Sequence, residues 1–329
     1  MRESSFIRQN FDKWKYIETR LELKKGENPD ELASLYIQLT DDLSYAKTFY
    51  PKSKVTDYLN DLTGLAYANL YKNKREKSNR FITFWKSELP LLYFKYQKTL
   101  ALAFFVLIIS FVFGYLSAAF NEDFVRGILG DRYVNMTIEN IESGDPMGVY
   151  GKSEPFEMFI TITGNNIYVS FLTFIWGGVN FGFPVFIFLS GGSIFSLLYN
   201  GIVLGAFMRF FYDYSLTTTA SSALWIHGVF ELTAITIAAA AGIIMGNGIL
   251  LPGTRTRIES FAIAAKDGLK ILLGLIPFFI VAGFLEGFVT RHYKNELVAW
   301  FIIILSLVFV IWYFVIYPIN VKKNYGSTE

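Results

Sequence analysis

A chain of 329 residues that is 53% hydrophobic and 18% aromatic, with 33 Phe and 20 Tyr, carries a heavier apolar load than a soluble globular protein normally does. The formal charge of +2 gives no sign of a nucleic-acid partner, and the absence of cysteine excludes disulfides and thiol chemistry. The apolar residues stand in long blocks rather than at a 3.6-residue period, which is the pattern of membrane spans.

Residues 1 to about 98 read as a separate cytoplasmic helical region. The chain begins MRESSFIRQN, without the short apolar core of a signal peptide, so its N-terminus is expected on the cytoplasmic side. Asn28-Pro29-Asp30 and Tyr50-Pro51 interrupt the pattern, because the residue before a proline is pushed out of helical geometry. Three amphipathic helices follow, near 3–25, 30–49 and 53–75. Phe6, Phe11, Trp14 and Ile17 give the first an apolar stripe; Leu35, Ile37, Leu39 and Leu43 serve the second. A basic cluster, Lys72, Lys74, Arg75, Lys77 and Arg80, then leads into the aromatic stretch 81–96, which contains Trp85 and Pro90. Such a sequence suits an interfacial helix lying among lipid headgroups.

From residue 99 to about 320 the chain reads as an all-α, polytopic membrane domain with six spans: 99–119, 167–189, 194–212, 220–246, 269–290 and 297–317. About 20 residues at ~1.5 Å rise cross the hydrocarbon layer, and these lengths agree. The second span is interrupted by Gly177-Gly178, Gly182 and Pro184. Gly246-Asn247-Gly248, followed by Pro252-Gly253, is expected to end the fourth. Residues 1–98 hold 18 Lys/Arg against 13 Asp/Glu, while 121–157 holds 8 acids against 3 bases. The excess of bases in cytoplasmic loops places both termini, the tail 321–329 and the loop bearing Arg255, Arg257, Lys266 and Lys270 inside, and 121–157 outside. Arg291 and Lys294, in the last external turn, run against that rule. Within the external segment, Gly144-Asp145-Pro146 is a turn, and Val134, Met136, Ile138 and Ile141 outline a short amphipathic helix open to an extracytoplasmic partner.

The chemistry concentrates in the spans. His227 and Glu231 are four residues apart and share a helix face, and Glu286 lies at comparable depth in the fifth span, so the three are expected to converge. An ionisable group in hydrocarbon costs about 2.5–3.5 kcal/mol on insertion scales, so it faces a partner or a wet cavity. Three readings stay open: a polar cluster that fixes helix packing, a proton or ion relay, and a metal-dependent hydrolase. The last has the least support, because His292 is the one other histidine and H-E-x-x-H is missing. No metal or other cofactor is expected. No Walker lysine motif, nucleophile elbow or dinucleotide fingerprint appears. Gly201 with Gly205, and Gly242 with Gly246, are spaced for close helix packing. Pro184 and Pro277 break helix bonds, and Asn200 and Asn247 add amides.

Taken in order, several stretches resemble the stage II sporulation protein M family. They are Gly164-Asn165-Asn166-Ile167, Tyr199-Asn200-Gly201 with Gly205-Ala206, and His227-Gly228-x-x-Glu231-x-x-Ala234. Pro252-Gly253-Thr254 and Ile276-Pro277 follow, leading to Ala282-Gly283-x-x-Glu286-Gly287-Phe288. The resemblance covers about residues 95–320 and implies an all-helical integral membrane protein. It further implies a scaffold: in spore formers the named member works with two cell-wall enzymes that degrade peptidoglycan, and is thought to anchor them. The expectation is therefore a non-enzymatic scaffold of the bacterial inner membrane. It would touch lipid and cell-wall hydrolases or other envelope proteins, and self-associate, with a dimer as the simplest form. The alternative is a transporter or channel component using His227, Glu231 and Glu286.

Overall fold

The structure is a computed structural model describing residues 2–22, 29–70, 80–151, 154–177 and 191–326. It is helical, with no strand among the described residues, and divides into two compact units, Met1–Asn79 and Arg80–Glu329.

The first unit is a bundle of three helices, α1 (Glu3–Glu22), α2 (Pro29–Phe49) and α3 (Lys54–Leu70). Phe6, Trp14, Ile17 and Leu21 from α1 meet Leu35, Leu39, Leu43 and Ala46 from α2 and Val55, Leu59, Leu62 and Ala66 from α3. Trp14 is its largest fully buried side chain, and its indole N–H donates to Asp42 Oδ2 at 2.7 Å. Phe11 and Ile37, expected in the core, are instead 52% and 59% exposed. At ~100° per residue Phe11 stands about 100° from the middle of its stripe, and Ile37 falls opposite Leu35 and Leu39. Of the basic cluster, Arg80 is exposed, while Lys72, Lys74, Arg75 and Lys77 lie outside the described residues.

The second unit opens with α4 (Arg80–Thr83), a π turn (Phe84–Glu88) and α5 (Leu89–Lys95), matching the expected aromatic helix. Phe81 and Ile82 are exposed, whereas Leu89 and Tyr93 are buried. The first span is α6 (Gln97–Phe120). Two short helices follow, α7 (Glu122–Leu129) and α8 (Asp131–Glu142). Asn121 caps α7, and Gly130 turns the chain between them at φ 84°, a conformation that disfavours a side chain. A 3-10 turn, Gly148–Tyr150, leads to α9 (Pro155–Gly177), α10 (Gly191–Asp213) and α11 (Thr217–Leu250). Next come α12 (Arg257–Phe284), a π turn (Leu285–Val289), a 3-10 turn (Thr290–His292) and α13 (Glu296–Ile311). A last π turn (Trp312–Ile316) joins α13 to α14 (Tyr317–Gly326).

Six helical segments among the described residues are long and apolar enough to cross a bilayer. The outer faces of α6 and α13 expose Leu102, Phe105, Phe113, Phe301, Ile304 and Val308, a surface suited to hydrocarbon and costly in water. Central among the helices is α11, which packs on α6, α9, α10, α12 and α13. Several boundaries differ from the sequence reading: the fifth span begins at Arg257 rather than 269, so Arg257, Lys266 and Lys270 stand on α12 and not in a loop. The second span begins at Pro155 rather than 167, because Glu157, Thr161, Thr163, Asn165 and Asn166 dilute the start of an otherwise apolar helix. Residues 178–190, with Gly178, Gly182 and Pro184, lie outside the described residues. The fourth span also runs through Gly246-Asn247-Gly248 to Leu250, since a Cβ at Gly248 would meet Ala264 and the glycine serves packing, not termination.

Close approaches hold these helices together. A Cβ at Gly201 would sit 2.5 Å from Ser110 Cβ, and one at Gly205 would collide with the Phe111 carbonyl, so α10 lies directly on the backbone of α6. A Cβ at Gly242 would strike the Ser193 hydroxyl, and one at Gly177 the Gly242 carbonyl. Gly246 is buried in the same helix. Where the hydrophobic effect cannot drive association, such contacts supply the dispersion energy. At the α5 end, Lys95 pairs with Asp267 at 2.6 Å, the Tyr96 hydroxyl donates to the same carboxylate at 2.8 Å, and Lys270 pairs with Glu88. At the α8 end, Lys294 meets Asp145 at 3.1 Å, and Arg291 Nε donates to the Gly287 carbonyl at 3.0 Å. The two bases that oppose the charge rule thus have local acceptors.

Candidate functional site

Near the α8 end of the second unit, α11, α9 and the π turn after α12 enclose the three expected residues. His227 is 4% exposed, and Glu231 follows one helical turn later on the same face. Glu286 is the second residue of the π turn Leu285–Val289. The wider turn shifts side chains relative to regular helix, a distortion frequent at functional positions. One imidazole nitrogen and one carboxylate oxygen from each glutamate lie within 4.8 Å of one another. The convergence expected from the sequence is present. His292, by contrast, is exposed and outside the group.

The Thr290 hydroxyl links the histidine ring to the backbone. Thr290 Oγ1 donates its single proton to the Leu285 carbonyl at 3.1 Å, and it stands 3.0 Å from His227 Nδ1. With that proton on the carbonyl, the hydroxyl accepts from Nδ1–H and Nε2 is left as a lone pair. Nε2 faces Glu286 Oε1 at 4.0 Å, too long for a hydrogen bond.

The helix α9 closes the remaining side. A Cβ at Gly283 would meet the Thr163 side chain, and one at Gly287 would lie 2.8 Å from the Pro155 carbonyl, so the glycines flanking Glu286 seat α9 against it. This gives a physical reason for the Ala282-Gly283-x-x-Glu286-Gly287 pattern. Gly228 is different, since its Cβ would make only ordinary contact, 3.6 Å from the Trp225 ring. Asn166, 8% exposed, brings its amide against the Glu231 carboxyl. Thr163 Oγ1 and Ser170 Oγ on the same face are buried without a partner. Further along, Thr173 lies 3.1 Å from the Ser196 hydroxyl and accepts from Ser193 through its carbonyl at 2.7 Å. A polar face thus runs from the centre along α9 for about 15 Å, at ~1.5 Å per residue.

The 3-10 turn covers the centre with Tyr150, whose ring lies 5.8 Å from that of His227. Burial, reinforced by the nearby carboxylates of Glu286 and Glu231, holds its hydroxyl well above the ordinary tyrosine range, so it stays a proton donor. Sequence reasoning missed Thr290, Tyr150 and the face Thr163, Asn166, Ser170 and Thr173. The last carried a readable signal: polar residues at steps of three and four inside an apolar stretch.

Six apolar helices, their exposed hydrocarbon-like faces and a shielded ionisable centre define a multi-pass helical membrane protein. Residues 101–291 match the family "Stage II sporulation protein M", and the chain belongs to that family. Residues 4–72 match a second family, described as "Domain of unknown function (DUF8413)". No curated protein and no solved structure matches the chain.

Proposed function

We propose that this protein is a non-catalytic scaffold of the cytoplasmic membrane that positions peptidoglycan-remodelling partners, acting as an oligomer with both termini inside. The observation that carries the reading is the folded state of residues 121–151. Val125, Val134, Thr137, Asn140 and Met147 bury one face of this cap, while Asp131, Arg132, Asn135, Glu139 and Glu142 expose the other. Arg126 pairs with Asp131 at 3.0 Å and donates to Asn135 Oδ1 at 2.9 Å, which ties α7 to α8. An anchored cap with a polar outer face is a fixed platform, as docking requires. The expected result is that full-length protein captures wall hydrolases from its own membranes. Reversing charge with Glu139→Lys and Glu142→Lys lowers that recovery by about tenfold or more, at unchanged membrane level. Recovery of no envelope enzyme by the unaltered chain contradicts the reading.

A second reading, a transporter or channel component, draws on the unpartnered Thr163 and Ser170 hydroxyls that extend the centre along α9. Proton or cation flux in proteoliposomes that disappears in Glu231→Gln and Glu286→Gln, with folding intact, selects it over the scaffold.

A further inference from the structure

The three groups that converge at the centre are all Lewis bases. Nε2 of His227 presents a lone pair when Nδ1–H donates to Thr290 Oγ1, whose own proton goes to the Leu285 carbonyl. Glu231 and Glu286 present carboxylates, and Nε2 makes no hydrogen bond to Glu286. Acceptors that crowd together away from water repel unless they take up protons or share a cation.

Size narrows what such a cation is. Three atoms mutually within 4.8 Å can share a central ion no more than about 2.8 Å from each. Contraction by less than ~1 Å brings them to the 2.0–2.2 Å bonds of a zinc-like ion. Charge agrees with this, since two carboxylates and one dication sum to zero, as do two glutamic acids that each keep a proton, and metal loading separates the two. The donor set selects among dications. Calcium and magnesium prefer oxygen alone, while one imidazole with two carboxylates suits the first-row transition metals.

A second, independent feature points to the same place. Asn166 is 8% exposed, and its amide stands against the Glu231 carboxyl. An amide so placed donates to the outer oxygen of a metal-bound carboxylate. The Nδ1–H to Thr290 bond is the usual outer support of a metal-binding histidine, orienting the ring and fixing its tautomer.

We propose that His227 Nε2, Glu231 and Glu286 bind one divalent first-row transition-metal ion, with Thr290 and Asn166 as positioning residues for His227 and Glu231. The ion joins α11 to the π turn after α12. This goes beyond the scaffold reading and does not depend on it.

The test uses the full chain in detergent or nanodiscs, stripped with chelator, loaded separately with Zn2+ and Mn2+, dialysed and measured for metal content and thermal midpoint. One ion per chain is expected with at least one of the two metals, accompanied by a higher midpoint. Glu286→Gln and His227→Gln are expected to lose metal about 100-fold or more. Thr290→Val should weaken binding by about 10–100-fold, and Thr290→Ser, which keeps the hydroxyl, should restore it. Should the first two variants fail to fold, the Thr290 pair decides, because a merely structural hydroxyl would shift the midpoint without shifting metal affinity. Substoichiometric content with both metals overturns the proposal. So does metal retained equally by the folded variants.

Discussion

Leucine in place of Gly205 is expected to remove folded protein from the membrane almost entirely. A Cβ there collides with the Phe111 carbonyl and lies 2.6 Å from the Tyr115 amide nitrogen, and both are backbone atoms that cannot rotate aside. Inserting side-chain atoms into a packed interface costs about 1–3 kcal/mol and more where backbone must move, so this substitution belongs at or above the top of that range. Gly164→Ala provides the contrast. A Cβ at Gly164 meets nothing within 4 Å, so alanine there leaves stability unchanged or gains about 0.5–1 kcal/mol from reduced backbone freedom. Size-exclusion profiles and thermal midpoints of the two variants, expressed side by side, check the pair. Equal behaviour would mean that α10 does not lie on α6.

The second large effect concerns the N-terminal bundle. Trp14→Ala removes a side chain that is 2% exposed and packed 5.3 Å from the ring of Phe6, and it also removes the indole donor to Asp42. Truncating a buried tryptophan to alanine costs about 3–5 kcal/mol. A core as small as that of a three-helix unit has little stability in reserve, so the loss is expected to unfold it. Limited proteolysis of the full-length chain should then cut within residues 3–70 at least tenfold faster than before. Phe11→Ala, at a position 52% exposed, should leave the rate unchanged.

Much of this architecture was readable because each level of the chain points the same way. Six apolar blocks, boundaries at Pro29 and Pro51 and the glycines of α10 and α11 mark the helices and their closely packed faces. The miss at the second span is instructive. Hydropathy averages over a helix, so Glu157, Thr161, Thr163, Asn165 and Asn166 made residues 155–166 look external. In the fold Thr163 and Asn166 face α12 and α11, away from lipid. Phe11 and Ile37 failed for a simpler reason, since apolar character alone does not set helical phase.

The centre was legible in its three ionisable residues and illegible in what surrounds them. His227 and Glu231 share a face by spacing alone, and Glu286 joins them through depth and antiparallel helices. Thr290 could not be assigned, because its role depends on the π turn that carries its hydroxyl back to the Leu285 carbonyl. Tyr150 arrives from a 3-10 turn with no periodic signature. Gly283 and Gly287 stood in the family pattern without a physical reason, which the packing of α9 against them supplies.

The central claim is that α9 seats against α12, so that its polar face closes the centre formed by His227, Glu231 and Glu286. The natural chain has no cysteine, which makes a paired substitution unambiguous. A Cβ at position 283 lies 3.3 Å from Thr163 Cβ, close to the ~3.5–4.5 Å that a disulfide bridges. In Thr163→Cys with Gly283→Cys, oxidised in native membranes and then cleaved at a protease site placed in the 251–256 turn, the two halves should stay joined until reduced. Halves that separate without reductant, from protein that is folded and fully oxidised, would contradict the account.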